Sequence, residues 1–153
     1  MGFLLSARTV LLGLARHIRS VSFSVPFHWT GYTVGNWHYF RDSEVEGLEA
    51  EFVARLEKAR HHAGVPFVIT SGKRDADANA TAGGVQDSAH LQGRAVDLRS
   101  TSSRTHFKIV EGAIFAGIKR IGVYRNQSGS PSHIHLDDSP DLPGEVLWLG
   151  VSS

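Results

Sequence analysis

Cysteine is missing from all 153 residues of the chain. Its absence excludes a disulfide framework and any thiolate metal site, and leaves imidazole and carboxylate as the available ligands. It also makes the chain indifferent to redox poise, so the compartment stays open. An excess of charge is lacking too: sixteen Lys+Arg stand against fifteen Asp+Glu, a net charge of +1. With no strongly basic balance and no charged tail, no nucleic-acid partner is expected. No run approaches the roughly 18 to 20 apolar residues that span a bilayer. Neither a repeat nor a separate linker divides the chain, and its length fits one domain.

What is present is a hydrophobic fraction of 41%, enough to build a core without staples, and nine histidines. Residues 1–20 carry Arg8, Arg16 and Arg19 among leucines. They lack a cationic start and a small-x-small cleavage site, so a surface helix over 4–18 is expected, with an atypical export signal as the alternative. The stretch 20–40 is rich in aromatics, Pro26, Gly31 and Gly35, and reads as irregular structure packed by its rings. Residues 1–37 are therefore expected as a lead-in packed on a body formed by 38–153.

Within the body, Asp42 or Ser43 is placed to cap a helix with Val45, Leu48, Phe52, Leu56 and Ala59 inward, ending near Gly64. The adjacent His61 and His62 point in different directions on such a helix and suit its C-terminus rather than a metal. Val65 to Thr70 reads as a strand, and the small, polar residues 73–89 as a long loop. A further helix is predicted over 103–117 with Phe107, Val110, Ile114 and Phe115 inward, followed by strands at 120–124 and 133–137. Trp148, within 146–149, is expected to pack back on the body. Helices alternating with short strands give an α+β class: a small, mainly antiparallel sheet with flanking helices.

Two segments carry the chemistry. In HLQGRAVDL, Gly93 permits a tight turn after His90. If Val96 and Leu98 face the core, Asp97 faces the other way. In HIHLD, Ile134 and Leu136 share one face, while His133, His135 and Asp137 share the other. Periodicity alone favours an exposed polar sheet face, and two such faces rich in ligand-capable groups bring the reading of a site level with it. Two imidazoles and one carboxylate drawn from these faces would leave a fourth position open, as in a catalytic zinc site, and suit zinc better than magnesium or calcium. The same set also serves non-haem iron oxygenases.

These residues resemble the zinc D-alanyl-D-alanine carboxypeptidases and L-alanyl-D-glutamate endopeptidases, which cut peptidoglycan stem peptides. The matching stretches are FVITSGKR (67–74), NATAGGVQDSAHLQGRAVDL (79–98), RIGVY (120–124) and HIHLD (133–137). They contain Ser-x-His-x-x-Gly-x-Ala-x-Asp as Ser88, His90, Gly93, Ala95 and Asp97. The resemblance spans about residues 38–138. It implies a zinc peptidase fold and one Zn2+ per chain, held by His90, Asp97 and His135. It places Arg74 near the substrate, where its planar fork suits a carboxylate. Ser88 and Gln86 are implied as walls for the peptide or shapers of the loop, and Asp137 as the partner of a ligand histidine's second nitrogen.

One position departs from the pattern. Several relatives carry an acid three residues before the last ligand histidine, acting as general base, and here that residue is Ser132. The amino-terminal domain of hedgehog signalling proteins, and related peptidases, share a His-x-His ending like His133-Ile134-His135. His133 is then the candidate for oxyanion stabilisation or proton transfer, with a loop carboxylate, Asp75, Asp77 or Asp87, as the alternative. The expected activity is hydrolysis of an amide bond in a stem peptide by a monomer acting at the bacterial cell wall. An endopeptidase is favoured slightly over a carboxypeptidase. The rival is a weakened zinc-containing module that binds cell wall or protein. A metal-dependent nuclease lacks the basic groove it would need, and a structural virion component is a further reading.

Overall fold

The computed structural model describes residues 36–152, so the helix expected over 4–18 and nearly all of the lead-in fall outside the described residues. Trp37, at the end of that lead-in, is partly buried and packs against the core. No helix among the described residues is long and apolar enough to cross a membrane.

The body is α+β, with a five-stranded sheet in the order β1-β2-β4-β3-β5. The strands are β1 (Ile69–Ser71), β2 (Ala95–Arg99), β3 (Arg120–Arg125), β4 (Pro131–Asp137) and β5 (Val146–Val151). All neighbours run antiparallel except β3 and β5, which are parallel. The mainly antiparallel sheet is therefore as expected. The stretch holding Trp148 is the edge strand β5, and Trp148 packs back on the body as expected, its indole against Gly122 and bonded to the Tyr124 hydroxyl.

Helices α1 (Ala50–Ala63) and α3 (Ser103–Ala116) pack on each other and on one face of the sheet. Alternation explains that face. Val96 and Leu98 of β2, Ile134 and Leu136 of β4, and Ile121 of β3 are buried with Phe52, Leu56 and Ile109 of the helices. Each such side chain contributes roughly 1.5–3 kcal/mol by leaving water. The residues between them in sequence are thereby turned to the opposite, open face.

Three sequence expectations need correction. The first helix does not begin at Asp42 or Ser43. Residues 42–44 form a single 3-10 turn, Gly47 takes φ +74, and α1 starts only at Ala50. A residue with positive φ cannot continue a right-handed helix, so the apolar spacing of Val45 and Leu48 mimics a period the backbone interrupts. The helix does stop at Gly64, in the left-handed region at φ 62. Second, of the four residues expected inward on α3 only Val110 packs on the core, while Phe107, Ile114 and Phe115 are 64%, 62% and 52% exposed. Its inward face is His106, Ile109, Gly112, Ala113 and Ala116. A Cβ at Gly112 would strike the carbonyl of Ala59, so close approach of the two helices selects the small residues for the contact. Third, the segment 73–89 is not all loop. Asp75 caps a short helix, α2 (Ala76–Thr81), accepting from Ala78 N at 2.7 Å. Buried Asn79 then ties the following turn by donating to Val85 O at 2.9 Å.

Candidate metal centre

The open face of the sheet collects the polar residues that alternation displaced. Asp97 of β2 lies directly opposite His135 of β4 in the register, and Gly122 of β3 lies on the other side of His135. His90 reaches them from a tight turn that Gly93 closes at φ +70, where a Cβ would strike the carbonyl of Gly47. Only glycine meets both demands, the positive φ and the close approach. His90, Asp97 and His135 each offer one ligand atom, all within 4.8 Å of one another, so the group could hold a metal ion.

The far nitrogen of each imidazole is already engaged. His90 Nδ1 is 2.7 Å from the carbonyl of Gly72, which can only accept, so Nδ1 carries a proton. His135 Nε2 is 3.0 Å from Asp137 Oδ2. Burial pushes the Asp137 carboxyl up, but its bonds to His135 and Ser139 and the charge of Arg120 reverse this, holding it below the usual range as an ionised acceptor. The remaining nitrogens both face Asp97: His90 Nε2 at 3.4 Å from Oδ2, and His135 Nδ1 at 3.0 Å from Oδ1. In neutral rings these are lone pairs set against carboxylate oxygens. Only a proton or a cation between them relieves that opposition. The directions of the pKa shifts agree. Burial alone would raise Asp97, yet the two histidines hold it far below the usual carboxylate range. Burial would lower His135, yet Asp137 and Asp97 raise it. Two tautomer-fixed imidazoles and a carboxylate fit a borderline-soft divalent ion such as zinc.

The triad lines a cleft of about 500 Å³. Arg74 is there, and its guanidinium is partly committed: Nη2 donates to Asp97 Oδ2 at 2.6 Å and Nε to Ser71 Oγ at 2.8 Å. Ser88 and Asp137 also line the cleft, whereas Gln86 is exposed and outside its lining. None of Asp75, Asp77 and Asp87 is among the lining residues. His133 is. Its Nδ1 is 3.1 Å from Ser132 Oγ, which accepts from Ser152 Oγ at 3.0 Å, and its ring stacks on Tyr124 at 4.3 Å. Burial lowers the His133 imidazole, with His135 and Arg74 adding to this and Asp97 opposing it.

Sequence reading missed three residues of this cleft. Arg120 donates from Nε to Asp137 Oδ1 at 2.7 Å and from Nη1 to the Pro143 carbonyl. Tyr124 and Trp148 form the wall beside it. The signal was available: Arg120 and Tyr124 alternate with core Ile121 and Val123, as the HIHLD polar residues alternate with Ile134 and Leu136.

Together, sheet, helices and cleft define an α+β domain carrying a candidate metal centre on its open face. A family model described as Peptidase M15 matches residues 32–137, and the chain belongs to that peptidase family. Among solved structures, it is similar to the L-Ala D-Glu endopeptidase ChiX of Serratia marcescens. Sequence identity is 21% and the TM-score 0.42, over 62% of this chain and 84% of that one. No curated protein matches.

Proposed function

We propose that the chain is a zinc-dependent peptidase that hydrolyses an amide bond in peptidoglycan stem peptides. The observation that carries this reading is the pair of tied imidazoles, each turning its free nitrogen onto the same carboxylate. Membership of a peptidase family supports the reaction class, and the name of the Serratia neighbour gives the kind of bond to test first.

In this reading His90 Nε2, Asp97 and His135 Nδ1 hold the ion, which supplies Lewis acidity to a scissile carbonyl and to water. Gly72 and Asp137 fix the ring tautomers, and Arg120 braces Asp137. His133 handles charge or the proton at the reacting centre. With Nδ1 of His133 engaged by the Ser132 hydroxyl, Nε2 is the nitrogen left for the reacting centre, where its N–H would serve as an oxyanion donor. Arg74 joins Asp97 to whatever carboxylate the peptide brings. Among the described residues, Asp97 and Asp137, matched by Arg74 and Arg120, are the only acidic, lysine or arginine side chains that line the cleft. A divalent ion would therefore make it net positive, which suits an anionic peptide.

The test is digestion of a stem peptide carrying both L-alanyl-D-glutamate and D-alanyl-D-alanine bonds, followed by mass spectrometry with and without added zinc. Zinc-dependent release from one bond is expected. Stoichiometric zinc with no cleavage of either bond would replace the reading with that of a binding module.

A further inference from the structure

The wall of the cleft formed by β3 and β5 is built around two rings, Tyr124 and Trp148, the second 5.5 Å from the ring of His135. Tyr124 on β3 pairs with Gly150 on β5, and Trp148 on β5 pairs with Gly122 on β3. A Cβ at Gly122 would sit 2.7 Å from the indole, and a Cβ at Gly150 would strike the phenol ring. Each ring thus occupies the space that a side chain on the partner strand would fill. The Tyr124 ring also stacks on His133, the planes 12° apart. Held between Gly150 and His133, it has little freedom to turn.

Chemistry then orients the hydroxyl. An indole N–H can only donate, and Trp148 Nε1 lies 3.1 Å from the Tyr124 hydroxyl, so the phenol oxygen is the acceptor. Among the described residues the Tyr124 hydroxyl has no other hydrogen-bond partner, so its own proton is left over. Tyr124 shares the cleft lining with Asp97, His133 and His135. A tyrosine serving only to pack would not need an indole donor to fill its acceptor side while its proton stays unspent.

We infer that Tyr124 is a substrate-contacting hydrogen-bond donor that gives its proton to a carbonyl or carboxylate oxygen of the peptide in the cleft. Trp148 is its positioning residue. This rests on the peptidase reading of the site. The contact is made to bound peptide before and during reaction, so it sets affinity more than turnover.

Tyr124→Phe keeps the ring and its stacking and removes only the hydroxyl. For the zinc-loaded chain acting on the same stem peptide, KM is expected to rise about tenfold with kcat within about twofold. The Kd of a non-cleavable analogue of the stem peptide, measured by titration calorimetry with His133 in place, is expected to weaken by the same factor. Trp148→Phe should raise KM as well, but add nothing on top of Tyr124→Phe, because both act through one hydroxyl. Unchanged KM and Kd in Tyr124→Phe would overturn the inference, as would a loss confined to kcat. If the wild-type chain binds the peptide but cuts neither bond, the peptidase reading fails, and a Kd weakened by Tyr124→Phe still upholds the donor.

Discussion

Replacing Asp137 with asparagine tests the candidate metal centre through a residue outside the His90–Asp97–His135 group. The Asp137 side chain is only 2% exposed and serves three donors: His135 Nε2 at 3.0 Å, Arg120 Nε at 2.7 Å and Ser139 N at 3.2 Å. A carboxylate accepts from all three. Asparagine is nearly the same shape but offers one oxygen and one NH2. With the oxygen toward His135, the NH2 confronts the N–H groups of Arg120 and Ser139. With the NH2 toward His135, the ring must shift its proton to Nδ1, the nitrogen that faces Asp97, and that nitrogen ceases to be a donor to metal. Loss of such a carboxylate partner weakens metal affinity by about 10- to 100-fold, or about 1.4–2.7 kcal/mol. Competition with a chromophoric chelator would measure it, with a melting curve to show that the variant folds. A zinc Kd for Asp137→Asn within twofold of wild type, alongside clear loss in His135→Ala, would refute the assignment of Nδ1 as the ligand atom.

Gly112→Val should separate helices α1 and α3, because its Cβ would strike the Ala59 carbonyl. The cost is about 1–3 kcal/mol, read from urea unfolding. Phe52→Ala, at a fully buried position, should cost about 3–5 kcal/mol in the same assay. Gly93→Ala should lose stability and zinc affinity together, since the φ of +70 and the Gly47 carbonyl both oppose a side chain where the chain turns to deliver His90. His133→Gln should lower kcat by about 10²- to 10⁴-fold and leave zinc content near wild type; equal loss of both would show that His133 supports the metal.

The sheet face of the site was legible because strand alternation is a short-range rule. Once Ile134 and Leu136 are taken as core, His133, His135 and Asp137 have nowhere to go but the open face, and the structure places them there. The same rule applied to RIGVY would have turned up Arg120 and Tyr124. Which polar residues on that face meet one another depends on register, and pairing Asp97 with His135 is a property of two strands 38 residues apart that no local pattern encodes. The helices failed differently. A large apolar residue is a poor guide to the inward side where backbones approach closely, and the Gly112–Ala113–Ala116 face of α3 beats Phe107 and Phe115 for that reason. In α1 the apolar spacing of Val45 and Leu48 continued a period across Gly47, where the backbone had already left the helix.

The serine at the position where relatives place an acid is the point at which sequence and structure bear on each other most directly. Were a carboxylate elsewhere to take over as base, it would have to line the cleft, and among the described residues only Asp97 and Asp137 do. Asp97 is held by Arg74 and faced by the imidazoles of His90 and His135, and Asp137 is enclosed by His135, Arg120 and Ser139 N. Neither has an oxygen to spare for a substrate proton. Ser132 instead uses its hydroxyl on His133 Nδ1 and is itself supported by Ser152. The serine that stands where the resemblance expects an acid thus supplies a hydrogen-bonding group for the neighbouring imidazole. Restoring the acid makes this testable: Ser132→Glu should not add to the activity of the wild-type chain, because it gains a carboxylate at the cost of the hydroxyl that holds His133. A clear gain in kcat from Ser132→Glu with His133 intact would show that the chain lacks a base and that the Ser132 hydroxyl is not needed to orient His133.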